Sequence, residues 1–137
     1  MKIGIESNLL RELFRNVYFL NGTAYAGKST MVRLLAEKYD GICCGENYHD
    51  ELSYLIDPVH QPNLSYFDTM SGWQEFVTRS PEEYDAWIQG SSREAAELEI
   101  ILLLRLCATG KKIFVDTNID LDILREISDY NHVAIML

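Results

Sequence analysis

The sequence has no long hydrophobic run and no excess of basic charge. Its 137 residues carry 21 acidic and 12 basic side chains, a net charge of -9, so the surface as a whole repels nucleic acid and anionic membranes. No apolar stretch approaches the length of a membrane span. Charged residues interrupt the segment 1–16, which therefore lacks the apolar core of a signal peptide. These absences predict one cytoplasmic domain that binds neither nucleic acid nor membrane, and they leave its oligomeric state open.

The cysteines are few and unpatterned. Cys43, Cys44 and Cys107 make an odd number without metal-type spacing. Cys43 and Cys44 are adjacent in a short apolar run, which is typical of small apolar residues in a strand. The sequence also has no internal repeat and no low-complexity segment. We therefore expect a reduced chain, long enough to fold around a hydrophobic core.

Short apolar runs alternate with helical patterns along the chain. The predicted strands are 17–20, 42–44, 113–116 and 132–137. The predicted helices around them are an amphipathic helix at 7–15, a helix that follows the first strand and ends near Asp40, and a short helix at 120–129. This alternation predicts an α/β fold, a three-layer α/β/α sandwich with a mainly parallel sheet. Ending on an apolar strand is expected either of an edge strand or of a piece of a longer protein, and we favour the second.

The stretch 46–110 between the second and third strands is predicted to be mostly helical. Ser80-Pro81 followed by Glu83 is a strong helix start, because Ser80 caps the helix and Glu83 closes a capping box. Gly90 is predicted to end this helix. Ser91 with Glu94 is then predicted to begin a second, largely buried helix, which stops at Gly110.

One motif carries chemistry. Residues 22–29 fit the pattern G-x-x-x-x-G-K-[ST] at every fixed position. Glycine permits the dihedral angles and the close approach that let successive backbone N–H groups turn around a phosphate. The following helix points its positive end at the same anion. The sequence therefore predicts a P-loop that binds a nucleoside triphosphate, ATP with Mg²⁺. The predicted phosphate-binding residues are Gly22, Thr23, Ala24, Tyr25, Ala26, Gly27, Lys28, Ser29 and Thr30.

Three side chains are predicted to act on the phosphates and the metal. The Lys28 ammonium is expected to bridge β- and γ-phosphate oxygens, and the Ser29 hydroxyl is expected to ligate Mg²⁺. Asp116 ends the apolar strand 113–116 in the form of a Walker B carboxylate. Because the carboxyl ends of parallel strands lie along one edge, Asp116 is expected to reach the Mg²⁺ directly or through water. A strand-terminal aspartate is also an ordinary turn or cap residue.

The acidic stretch after the second strand is the candidate acceptor site. A carboxylate there could take the proton of an acceptor hydroxyl. Glu46 is the first choice for this catalytic base and Asp50 the second, and a solvated acidic helix start is the alternative. His49 is more typical of a packing residue than of a ligand contact.

A cation and several aromatic residues in the helical stretch have two interpretations each. Arg93, expected near the start of the second helix, could meet an anionic acceptor, or it could pair with Glu82 or Glu97. Trp73, Tyr84 and Trp87 have the spacing of packing aromatics, and stacking on a base is the alternative.

These features together resemble the P-loop NTPase superfamily, in particular the small-molecule and nucleotide kinases of the adenylate kinase and shikimate kinase group. The stretch 27–30 followed by Leu34-Leu35-Ala36 is most similar to the shikimate kinase loop. The resemblance implies phosphoryl transfer from ATP to a small acceptor, held by the insertion after the second strand. Tyr25 stands where such kinases usually have a further glycine, and the chain ends where their arginine-bearing lid would follow.

We therefore expect 1–137 to be a single P-loop nucleotide-binding domain, with a helical insertion at about 46–110 and without the C-terminal lid. Its expected activity is that of an ATP-dependent kinase whose acceptor is not identified. The alternative is a nucleotide-binding switch or regulatory module with little catalysis, which the missing lid and Tyr25 favour.

Overall fold

The computed structural model describes residues 3–23 and 26–137. Its strands are β1 (Val17–Gly22), β2 (Ile42–Cys44), β3 (Ile113–Asp116) and β4 (Val133–Met136). Its helices are α1 (Ser7–Leu13), α2 (Lys28–Tyr39), a 3-10 helix (Tyr48–Leu55), α3 (Tyr66–Thr69), α4 (Trp73–Val77), α5 (Pro81–Cys107) and α6 (Leu121–Ile127). Among the described helices, none combines the length and the apolar character needed to cross a membrane.

The strands form a parallel sheet in the order β2-β3-β1-β4. The structure confirms the prediction of an α/β fold with a parallel sheet. Leu20 of β1 lies opposite Asp116 of β3, and Gly22 lies opposite Met136 of β4. The carboxyl ends of β1 and β3 are therefore neighbours, and β4 lies at one edge of the described sheet.

Alternate residues of the central strands enter different hydrophobic clusters. Val17 and Phe19 belong to a large cluster with residues from α1, α5 and α6. Leu20 packs instead with Val32 and Ala36 of α2. This division follows from the strand geometry, because successive side chains point to opposite faces of a sheet.

Helix α2 packs through small side chains. Val32 is fully buried and Ala36 is 7% exposed, and both lie on the face of Lys28 at a four-residue spacing. The larger apolar residues that suggested the helix are Met31, Leu34, Leu35 and Tyr39, and of these only Leu35 is not exposed. The helix is where the sequence places it, but the stripe of large residues is not its buried face.

Helix α5 begins as predicted and continues further than predicted. The side chain of Ser80 accepts a hydrogen bond from the Glu83 backbone N–H, and the capping box is complete. The predicted end at Gly90 and the new start at Ser91 are wrong, since one helix runs from Pro81 to Cys107.

Gly90 lies inside α5 and not at its end, and its lack of a side chain lets Asn63 approach the helix closely. A Cβ atom at Gly90 would lie 2.3 Å from Nδ2 of Asn63. Glu94 is likewise not part of a helix start, because its Oε1 accepts hydrogen bonds from the backbone N–H groups of Asn63 and Leu64, both at 3.0 Å. Trp87 Nε1 donates to the Asn63 carbonyl at 3.0 Å. These contacts anchor the segment before α3 onto α5.

Candidate functional site

Two glycines of the motif have backbone conformations that favour glycine. Gly22 has φ 134° and Gly27 has φ 92°. A Cβ atom at Gly22 would lie 1.8 Å from the carbonyl oxygen of Met136, so the pairing of β1 with β4 requires glycine there. Gly27 precedes α2 as its N-cap and supplies no side-chain cap. The first N–H groups of α2 therefore have no side-chain partner and are suited to an anion.

Lys28 is the first residue of α2, and it is only 8% exposed. Its Nζ lies 3.4 Å from Asp116 Oδ1 and 3.3 Å from the Gly22 carbonyl oxygen. The Asn118 Oδ1 atom is 3.5 Å away. A buried ammonium group requires partners of this kind, because its desolvation is otherwise costly. The lysine is thus held at the junction of β1, β3 and α2.

Asp116 ends β3 and is 6% exposed. The Ser29 hydroxyl donates a hydrogen bond to Asp116 Oδ2 at 2.8 Å. Two neighbouring ligands of an octahedral Mg²⁺ with bonds of about 2.1 Å lie about 3 Å apart. The spacing of these two oxygens therefore fits such an ion. Within the described part of the chain, no group of three or more His, Cys, Asp or Glu side chains could hold a metal, so phosphate and water would have to supply the other ligands.

A first cavity of about 460 Å³ opens over these groups. This volume is within the usual range of small-molecule pockets, about 300–1,000 Å³. The lining residues are Gly27, Lys28, Ser29, Thr30, Glu46, Asp116 and Asn118. Six of these are predicted site residues, and Asn118 is an addition that sequence reasoning missed. A larger cavity of about 650 Å³ near Arg11 and His132 is lined by none of the predicted site residues that the structure describes.

Gly22, Thr23 and Ala26 are not among the described residues that line the first cavity. The Thr23 backbone N–H donates to the Met136 carbonyl at 3.0 Å, and the Ala26 N–H donates to the Thr23 carbonyl at 3.3 Å. Ala24 and Tyr25, predicted to bind phosphate, lie outside the described residues. Their predicted contribution stays a prediction.

Glu99 of α5 is a buried acid that sequence reasoning missed. It is 4% exposed, and the Thr117 hydroxyl donates a hydrogen bond to its Oε2 at 3.1 Å. Burial raises the pKa of Glu99 to about 7; the Thr117 hydrogen bond opposes this rise and the nearby Asp116 charge adds to it. The sequence signal for a buried acid was the position of Glu99, one turn before Leu102 and Leu103 in an apolar helical run. Glutamate is rarely buried unless it is paired, so an acid at such a position indicates a buried polar contact.

The candidate residues of the acidic stretch after β2 line two different cavities. Glu46 lines the first cavity, whereas His49 and Asp50 line a second cavity of about 340 Å³. His49 Nε2 lies 3.5 Å from Asp50 Oδ1, and Nδ1 lies 4.0 Å from Glu99 Oε1. Burial lowers the pKa of His49, and the charge of Asp50 opposes this shift. The two candidate bases are therefore not equivalent, because only Glu46 shares a cavity with Lys28.

Arg93 is not at a helix start. It is exposed in the middle of α5 and lines neither of these cavities. The aromatic residues pack on one another, with ring centroids 5.5 Å apart for Phe67 and Trp73 and 6.0 Å apart for Tyr84 and Trp87. They do not line the first cavity, so their geometry favours the packing interpretation.

No protein-family model matches the chain, and neither a curated protein nor a solved structure does.

Proposed function

We propose that this protein is an ATP-binding P-loop phosphotransferase with a three-layer α/β/α fold. It transfers the γ-phosphoryl group of ATP to a small-molecule or nucleotide acceptor. One observation carries the proposal: Lys28, Ser29 and Asp116 converge at the carboxyl ends of β1 and β3, and they line one cavity of ligand size. Ligands of parallel α/β sheets bind at this edge.

The groups of the first cavity suit a triphosphate. Lys28 would exchange its contact with Asp116 for β- and γ-phosphate oxygens, and its preorganised charge would stabilise the charge that develops during transfer. The N–H groups at the start of α2 would bind phosphate oxygens. Ser29 and Asp116 would hold Mg²⁺, which when bound neutralises charge between the β- and γ-phosphates.

Glu46 is the proposed acceptor of the hydroxyl proton. It lines the cavity that contains Lys28, and it is exposed, so an incoming acceptor can approach it. Asp50 lines the other cavity, which makes it a less direct choice for this role.

Calorimetric titration with Mg-ATP and Mg-GTP, together with an assay of ADP release, tests the proposal. Lys28→Ala should weaken Mg-ATP binding by about tenfold or more, because a buried charge on the phosphates is lost. Lys38→Ala, at an exposed lysine of the same helix, is the matched control and should bind ATP as the parent chain does. Unchanged affinity in the Lys28 variant refutes the P-loop assignment. ATP binding without acceptor-dependent turnover favours the nucleotide-binding switch.

A further inference from the structure

Asn118 lines the first cavity, and the proposed function gives it no task. It lies two residues beyond Asp116, in the short segment between β3 and α6. Asn118 is exposed, whereas Thr117 is fully buried and Ile119 is 1% exposed. Of these three consecutive side chains, therefore, only that of Asn118 is open to a ligand.

The Asn118 side chain lies beside the lysine of the motif. Its Oδ1 atom is 3.5 Å from Lys28 Nζ. A side-chain amide has one acceptor oxygen and two N–H donors. Because the oxygen is on the side of the ammonium group, the N–H donors remain for a molecule in the cavity. A phosphate oxygen, which only accepts hydrogen bonds, is a suitable partner for them.

The direction of the Lys28 side chain indicates which phosphate Asn118 can reach. Lys28 is the first residue of α2, and its ammonium group lies near the carbonyl of Gly22 in β1 and near Asp116 of β3. The N–H groups at the start of α2 suit an inner phosphate. An oxygen that meets both Lys28 Nζ and Asn118 lies at the far end of the lysine side chain, which is the place for the terminal phosphate.

The backbone on both sides of Asn118 is held to β1. The Thr117 backbone N–H donates to the Leu20 carbonyl at 3.0 Å. Asn21 Nδ2 donates to the Ile119 carbonyl at 2.7 Å. Both bonds go to the strand that leads into the motif. The position of Asn118 relative to Lys28 is therefore set before any ligand binds, and preorganisation of this kind lowers the cost of binding.

The Thr117 hydroxyl adds a second support, which comes from α5. It donates a hydrogen bond to Glu99 Oε2 at 3.1 Å, and it accepts one from the Ile119 backbone N–H at 3.0 Å. A hydroxyl has a single proton. Because Glu99 takes that proton, a lone pair of the oxygen stays directed at Ile119, and the turn around Asn118 is closed.

Packing alone does not call for an acid at position 99. Glu99 is 4% exposed, and burial of a carboxyl group is costly. An apolar residue of similar size would avoid this cost. The need for a hydrogen-bond acceptor at the Thr117 hydroxyl gives a reason for glutamate here.

We propose that Asn118 donates a hydrogen bond to the terminal phosphate of the bound triphosphate, and that Glu99, acting through Thr117, is the positioning residue for Asn118. The inference rests on the proposed function and deepens it, because it names a residue that distinguishes a triphosphate from a diphosphate. A neutral amide binds a phosphate oxygen without changing the net charge of the cavity. Glu99 and Thr117 hold the loop where this contact can form.

Calorimetry with Mg-ATP and Mg-ADP tests the contact, because the diphosphate lacks the terminal phosphate. The parent chain should bind Mg-ATP more tightly than Mg-ADP. Asn118→Ala should reduce this preference about tenfold through weaker Mg-ATP binding, with Mg-ADP affinity within about twofold of the parent's. Asn131→Ala changes an exposed asparagine before β4, outside the described lining of this cavity, and should keep the parental preference. An undiminished preference in the Asn118 variant overturns the proposal.

Paired substitutions test the positioning role. Thr117→Val removes the hydroxyl at nearly constant shape and should reduce the preference for Mg-ATP about fivefold, whereas Thr117→Ser should bring it back toward the parental value. Glu99→Leu should act as Thr117→Val does, and Glu99→Gln, which keeps an acceptor oxygen, should lie nearer the parent. A merely structural role would lower the free energy of unfolding without changing the ratio of the two affinities. Parental preference in both Thr117→Val and Glu99→Leu overturns the positioning role.

A double-mutant cycle shows whether Thr117 acts through Asn118. The variant with both Thr117→Val and Asn118→Ala should have the preference of Asn118→Ala alone. Additive losses overturn the positioning role. Thr117→Ala, with a smaller side chain, replaces Thr117→Val if circular dichroism shows that the latter does not fold.

The nucleotide affinities of the parent chain separate this inference from the proposed function. If neither Mg-ATP nor Mg-ADP binds, the proposed function is refuted and the inference with it. If both bind with equal affinity, or with a preference that Asn118→Ala does not change, the inference alone is refuted.

Discussion

The Ser29 hydroxyl donates a 2.8 Å hydrogen bond to Asp116 Oδ2, although the two residues are 87 positions apart. The contact follows from the sheet register. Leu20, near the end of β1, lies opposite Asp116 of β3, so the loop that leaves β1 passes beside the acid. α2 begins from that loop, which brings Ser29 to the carboxylate.

Asp116→Asn is expected to remove most of the Mg²⁺ dependence of nucleotide binding. An amide oxygen keeps the size of the carboxylate but lacks its charge, and Mg²⁺ prefers charged oxygen ligands. Calorimetry with and without Mg²⁺ should show a stimulation about tenfold smaller in this variant. Asp120→Asn changes the exposed acid that precedes α6 and makes no side-chain cap, so it is the control. An undiminished Mg²⁺ effect in the Asp116 variant contradicts the metal assignment.

Gly22→Ala is expected to destabilise the fold by at least about 2 kcal/mol. The new Cβ atom would overlap the Met136 carbonyl, and φ at this position is 134°. Gly45→Ala is the matched control, since a Cβ atom there has no heavy atom within 4 Å. Urea unfolding gives both free energies of unfolding. Equal stability of the two variants would show that β4 does not require glycine at position 22.

Gly90→Ala is expected to destabilise the fold by about 1 kcal/mol, although alanine favours a helix over glycine by about that amount. The Cβ atom would displace the Asn63 side chain, whose Nδ2 donates to Glu94 Oε2 at 2.5 Å. In an Asn63→Ala background, the same substitution should become stabilising. Urea unfolding of the double-mutant cycle measures the coupling. Stabilisation by Gly90→Ala in both backgrounds would mean that Asn63 does not restrict this position.

Glu99→Gln is expected to stabilise the protein more at pH 8 than at pH 4.5. The pKa of Glu99 is raised from 4.5 to about 7 in the folded chain, so the folded state holds the proton more tightly than the unfolded state. The free energy of unfolding therefore falls as pH rises from about 4.5 to about 7. This decrease in the free energy of unfolding is on the order of 3 kcal/mol, and it does not occur in the glutamine variant because glutamine does not titrate.

The difference between parent and variant isolates Glu99. The lowered pKa of His49 acts in the opposite direction below about pH 6.5. Because His49 Nδ1 lies 4.0 Å from Glu99 Oε1, the comparison is made in a His49→Asn background as well, which removes the histidine's contribution from both proteins. Glu97→Gln, at an exposed glutamate of the same helix, should show no such pH dependence. Urea unfolding at pH 4.5 and pH 8 provides the measurement. A difference that does not change with pH would indicate that Glu99 is not desolvated.

Much of the fold was predictable because its signals are local. The strands at 42–44 and 113–116 are short apolar runs, and their observed bounds agree with the predicted ones. The capping box at Ser80 and Glu83 is likewise local, since its bonds join residues three positions apart.

Other features of the fold and the site could not be read from local patterns. Gly90 resembles a helix end until Asn63 is placed against it. Glu46 and Asp50 are four positions apart, yet they line different cavities. Between them Asn47 adopts a left-handed conformation with φ 57°, and that turn directs the chain into the 3-10 helix.

By itself, the sequence determined the motif at 22–29, the position of α2 and the apolar strand that ends at Asp116, because each depends on residues close in the chain. Only the tertiary structure decided which side chains meet there. The pairing of β1 with β3 brings Asp116 to Lys28 and Ser29, and the packing of α5 buries Glu99 beside Thr117. These contacts depend on sheet register and helix packing, which are set by the whole core and not by any local pattern.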